Sequence, residues 1–102
     1  MGKLVRDRIP ELIRARGAEP VTRVLDEAEY DTALRDKLVE EAQELRNASS
    51  SGELLAEAAD VYEVLAALAD RLGVDLGTIA QAAQHKRAER GAFEERIWLE
   101  SY

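Results

Sequence analysis

The chain has no cysteine, and only one histidine, one tryptophan, one phenylalanine and two prolines among its 102 residues. Without cysteine there are no disulfides and no thiolate metal ligands. With one imidazole, any metal site must rest on oxygen donors, which favours hard cations. Aromatic residues make up only 5% of the chain, while the hydrophobic fraction of 46% is dominated by Ala and Leu. That balance speaks against a sandwich or barrel and for an all-α protein. No apolar run approaches the length of a membrane span. The opening Met1-Gly2-Lys3-Leu4-Val5-Arg6-Asp7 lacks a signal-peptide core, and Arg6 stands where myristoylation needs Ser or Thr. The expectation is a soluble, cytoplasmic protein with no membrane partner.

Positive charge is also scarce. The net charge is −7, and residues 26–63 hold twelve Asp and Glu against Arg35, Lys37 and Arg46, so this stretch carries −9 and the remainder +2. Binding to a nucleic-acid backbone needs the opposite sign, so nucleic acid is not an expected partner. The length fits one domain over residues 1–102 that buries about two-thirds of its unfolded surface.

About four helices are expected. Asp7 is positioned to cap a first helix carrying Ile9, Leu12 and Ile13, with Pro10 in its first turn and Gly17 as a stop. From about residue 28 to 47, Leu34, Leu38, Glu41 and Leu45 recur at helical spacing. Taking Leu34 as zero and 100° per residue, Leu38 lies near about +40°, Glu41 near about −20° and Glu44 near about −80°. Glu41 therefore sits on an apolar seam, with Glu44 at its edge. Ser50 and Glu53 fit a capping box for a third helix, whose seam reads Leu54, Ala58, Val61, Leu65, Leu68 and Leu72 up to Gly73. The connection is short enough to make the second and third helices antiparallel neighbours. Asp75 suits the cap of a fourth helix that ends at Gly91. Residues 21–25 and 95–99 have strand character and are each other's only available partners, so a short two-stranded β element there is an allowed addition.

On the third helix, Glu57 and Asp60 fall on the same-signed flank as Glu41 and Glu44, so an antiparallel hairpin would border one cleft with all four carboxylates. Their spacing alone carries little weight. At this acidity chance gives roughly four pairs three residues apart, and the chain has four: Asp26/Glu29, Glu41/Glu44, Glu57/Asp60 and Asp60/Glu63. The acid on the apolar seam carries more. A buried carboxylate without a partner is costly, and like charges about 4 Å apart repel by roughly 4 kcal/mol at an effective dielectric of 20. A cation reverses that sign. Periodicity leaves a solvated acidic flank, paired with Arg46, Arg71 or Lys86-Arg87, as an equally good account.

Glu40-Glu41-x-x-Glu44 followed by Glu57-x-x-Asp60 resembles the motif of the MazG-like all-α nucleotide pyrophosphohydrolases. Leu38-Val39 and Val61 extend the match. Lys3-Leu4-Val5-Arg6-Asp7-Arg8-Ile9-Pro10 and Lys86-Arg87-Ala88-Glu89-Arg90-Gly91-Ala92-Phe93 are similar to the opening and closing motifs of its small phosphoribosyl-ATP pyrophosphohydrolase-like branch. The resemblance implies an antiparallel helical bundle in which Glu41, Glu44, Glu57 and Asp60 bind Mg2+ or Mn2+. It also implies a hydrolase that splits a nucleoside triphosphate between its α- and β-phosphates into a monophosphate and pyrophosphate. Glu40 is the implied general base.

Lys86 and Arg90, one turn apart, and Arg6 and Arg8 are the candidates for neutralising substrate phosphate. The implied partners are a nucleotide and, because two long helices make a small core, a second copy in a homodimer or higher homo-oligomer. The alternatives are phosphoribosyl-ATP hydrolysis in histidine biosynthesis, and a non-catalytic acidic helical interaction module.

Overall fold

The computed structural model describes residues 2–102 and is built from four helices. They are α1 (Ile9–Ala15), α2 (Glu27–Arg46), α3 (Ser51–Arg71) and α4 (Leu76–Arg90). The expected all-α bundle is thus the observed one.

Each long helix starts where a side chain satisfies its free N–H groups. Before α2, the Asp26 carboxylate accepts from the Glu29 N–H at 2.8 Å, and Glu29 accepts in return from the Asp26 N–H at 3.2 Å. Arg23 clamps the same Glu29 at 2.8 Å. Asp26→Ala should therefore cost about 1 kcal/mol of stability without affecting the acidic cluster, as measured by urea denaturation. Before α3, the Ser50 hydroxyl accepts from the Glu53 N–H at 3.1 Å. Glu53 reaches back to the N–H of Ser49 at 2.9 Å rather than to that of Ser50, so the expected box closes one residue early. Asp75 caps α4 through the Thr78 N–H at 2.9 Å, and α4 stops at Gly91, whose φ of 80° suits glycine.

The four-residue break between α2 and α3 folds them into an antiparallel hairpin. Arg71 at the end of α3 reaches back to Asp31 near the start of α2 at 2.6 Å and lies 5.7 Å from the Tyr30 ring centre. Among the described residues the buried ones are Leu34 and Glu41 from α2 and Val64 and Ala69 from α3.

Three expectations need correction. No strand forms among the described residues: 21–25 and 95–99 are irregular and unpaired, with Val21 99% and Trp98 86% exposed. A two-stranded element with no third layer to cover it has too little apolar support. Asp7 does not cap α1, which begins after Arg8 with no side-chain cap. The face of α3 toward α2 centres on Val64 rather than on the Leu54–Leu72 stripe, and Leu54 and Leu72 are exposed.

The outline is elongated, at 54 × 35 × 25 Å with a radius of gyration of 17.4 Å. A compact chain of this length would have about 13 Å. Helix α4 packs only against α3, and it is exposed from Ala80 onward.

Candidate metal centre

Toward the turn of the hairpin, in the last third of α2 and the first half of α3, the two helices face each other with carboxylates. Because α3 turns Val64 inward, Glu57 and Asp60 lie two and one helical turns before it on the same face, opposite Glu41 and Glu44. Glu41, Glu44 and Glu57 each offer a carboxylate oxygen, and these lie within 4.8 Å of one another. Glu41 is 7% exposed. One oxygen of Glu41 and one of Glu57 are buried without a hydrogen-bond partner. Burial raises both carboxyls above their ordinary value. The Lys37 hydrogen bond partly offsets this for Glu41, while for Glu57 the nearby Glu44 adds to it.

The expected fourth ligand, Asp60, stands beside this trio but bonds to the Arg6 guanidinium. Arg6, Arg8, Lys37, Glu41 and Asp60 line a cavity of about 430 Å³ beside the hairpin. Arg8 itself pairs with Glu11 at 2.7 Å. Of the expected phosphate-binding residues, the structure thus brings Arg6 and Arg8 to the site. Lys86 and Arg90 lie on the exposed part of α4, which does not contact α2.

Glu40 is not one of the three converging acids. It accepts from Lys37 at 3.1 Å and lies 3.6 Å from Lys3, and the Lys37 hydrogen bond holds its carboxyl below the ordinary range. Lys37 was not among the sequence candidates. Its ammonium lies 3.4 Å from Glu41 and also binds Glu40, and these spacings of three and four residues were the available signal. Arg71 pairs with Asp31 and Glu27 at the far end of the hairpin, so it does not neutralise the trio.

A divalent cation fits this donor set. Three converging carboxylates, two with an unsatisfied buried oxygen, have one ammonium beside them, that of Lys37, which leaves negative charge in excess.

The family profile described as phosphoribosyl-ATP pyrophosphohydrolase matches residues 5–87, a span that holds every carboxylate of the cluster. The chain belongs to the phosphoribosyl-ATP pyrophosphohydrolase family. The family falls within the MazG-like all-α superfamily, so the resemblance of the acidic and N-terminal motifs holds at family level. This is a family of pyrophosphohydrolases acting on nucleotides. An uncharacterised protein of Mycolicibacterium smegmatis is 60% identical over 50 residues, a match covering 49% of this chain and 51% of that relative. The chain thus aligns with about half the length of the curated relative it matches. No solved structure matches it. No helix among the described residues is long and apolar enough to cross a membrane.

Proposed function

We propose that the chain is a metal-dependent pyrophosphohydrolase that cleaves a nucleoside triphosphate between its α- and β-phosphates, releasing a monophosphate and pyrophosphate. The observation that carries this reading is the convergence of Glu41, Glu44 and Glu57 around buried oxygens with no hydrogen-bond partner. These three would hold Mg2+ or Mn2+, with Asp60 joining them if Arg6 lets go. When bound, the ion supplies Lewis acidity toward a phosphoryl oxygen and charge compensation for the phosphates.

The protein's own groups have separable tasks. Arg6, freed from Asp60, is placed to bind a phosphate in the adjacent cavity, and Lys37 offsets the charge of Glu40 and Glu41. Glu40, one residue before Glu41, is the proton acceptor in this reading. The neighbouring lysines keep it ionised. Glu40→Gln should lower turnover by about 10²- to 10⁴-fold with divalent-ion affinity unchanged, measured by pyrophosphate release and by calorimetry.

The family description favours phosphoribosyl-ATP as a second substrate reading. Pyrophosphate release in magnesium from a panel of nucleoside triphosphates, with phosphoribosyl-ATP alongside, distinguishes the two. Absence of both turnover and cation binding would leave the acidic interaction module as the better account.

A further inference from the structure

The segment before α1 is tied to both helices of the hairpin at the acidic site. Lys3 lies 3.6 Å from Glu40 on α2, and the Arg6 guanidinium donates to Asp60 on α3. Leu4, Arg6 and Arg8 of this segment share one cavity with Glu41 and Asp60.

Asp60 stands between two uses. It lies one turn from Glu57 on α3, and its charge adds, after burial, to the rise of the Glu41 and Glu57 carboxyls, so it is within electrostatic reach of both. Yet it is not one of the three acids that converge, because its oxygen is held by Arg6. Arg6 in turn is the cation of this cavity that carries a bond to a candidate ligand from outside the hairpin.

We propose that the Arg6–Asp60 ion pair is a latch that couples the two ligands of the site: a substrate phosphate draws Arg6 away and frees Asp60 for the cation, and a cation that engages Asp60 frees Arg6 for phosphate. The inference rests on the reading of the site as a metal-dependent nucleotide site, and adds that neither charged ligand reaches full affinity without the other.

The bond is built to exchange. Arg71 grips Asp31 through two nitrogens, and Arg23 grips Glu29 in the same way, as two-point clamps do. Arg6 reaches Asp60 through one nitrogen, and the two side chains are 55% and 36% exposed. A part-exposed, one-point pair is weakened by water and yields to a polyphosphate or a divalent ion, each of which carries more charge than the group it displaces. Opening the latch for one ligand alone leaves a bare charge behind. Without a cation, a freed Asp60 adds a fourth carboxylate to a cluster whose adjacent ammonium is that of Lys37, and without phosphate, a freed Arg6 loses its partner. The second ligand removes that cost, so the coupling is positive and reciprocal. An uncharged nucleoside has no group that competes with Asp60 for Arg6, so the latch selects phosphorylated ligands.

Calorimetry on the full chain tests each half alone, with manganese in the absence of nucleotide, and with a nucleoside triphosphate carrying an uncleavable α,β-imido bridge in the presence of a chelator. Arg6→Gln should raise manganese affinity by about fivefold, the low end for coupled sites because the pair is part-exposed. Asp60→Asn should raise affinity for the metal-free analogue by a similar factor. Each gain should disappear in the other variant's background: Arg6→Gln should leave manganese affinity unchanged in a chain that already carries Asp60→Asn, and Asp60→Asn should leave analogue affinity unchanged in one that carries Arg6→Gln. Circular dichroism should show every variant as helical as the parent. A gain in manganese affinity from Arg6→Gln that persists without the Asp60 carboxylate is a through-space effect of charge, and it overturns the latch while the metal site stands. Unchanged or weaker manganese binding by Arg6→Gln overturns it too. A parent chain that binds no manganese overturns the metal reading and the latch with it.

Discussion

Glu41→Gln and Glu57→Gln should each weaken magnesium or manganese binding by at least about a hundredfold and abolish metal-dependent pyrophosphate release, while the helices stay intact. These residues contribute the two buried oxygens that no hydrogen bond reaches, so an amide removes charge where an ion would need it most. The same change relieves the metal-free protein. Glu41 is buried beside Glu44, Glu57 and Asp60, with Lys37 as its one direct counter-charge among the described residues, and Lys37 retains Glu40 after the substitution. The melting temperature without metal should therefore hold or rise, and the stabilisation gained on adding metal should vanish. A metal ligand and a structural acid are separated by this pair of readouts, since a structural acid would lower the melting temperature when lost. Magnesium-dependent turnover that survives Glu41→Gln would remove Glu41 from the site.

The carboxylate hairpin was legible because α2 is amphipathic. Its seam of Leu34, Leu38 and Leu45 admits one acid, and Glu41 is the residue found buried. The caps at Ser50 and Asp75 were legible for a local reason, since each bonds within three residues. Helix α3 was harder to read. Leu54, Leu55, Val61, Val64, Leu65, Leu68 and Leu72 spread apolar surface around much of it, so periodicity does not select one inward face. Packing on α2 chose the side with Val64 and left Leu54, Leu55 and Leu72 in solvent. That choice moved Glu57 and Asp60 from the edge of the seam onto the interface itself.

The partners of the acids depend on long-range placement. Arg6 reaches Asp60 across 54 positions of sequence, a pairing that no spacing rule contains. Lys86 and Arg90 carry suitable charge, but they share a helix that meets the hairpin only through α3. The sequence pattern identified two segments able to pair, 21–25 and 95–99, but not that the fold leaves them apart.

Without metal, the protein should lose thermal stability as pH rises above the ordinary glutamate value of 4.5, and added magnesium should increasingly reverse that loss. Burial raises the Glu41 and Glu57 carboxyls above 4.5, so between that value and their folded values the native state holds protons that the unfolded chain has released. Stability from these two groups is fully present below 4.5 and is lost as pH rises through their folded values. The charges facing them do not reverse the direction: Lys37 favours the ionised Glu41, but Glu44 and Asp60 oppose ionisation, and Arg6 is engaged by Asp60. Glu29 contributes with the opposite sign. Its bond to Arg23 lowers it to about 2, so its stability is present above 4.5 and lost as pH falls toward 2, outside the window in question. Since an ion displaces those protons, the rise in melting temperature on adding magnesium should be small near the ordinary glutamate value and grow steadily toward neutral pH. Thermal melts across this range, with magnesium and with a chelator, measure both slopes, and Glu41→Gln combined with Glu57→Gln should flatten both. A metal-free melting temperature that climbs over the same interval would mean that these carboxylates are ionised and well solvated, and the cluster would then have no need of a cation.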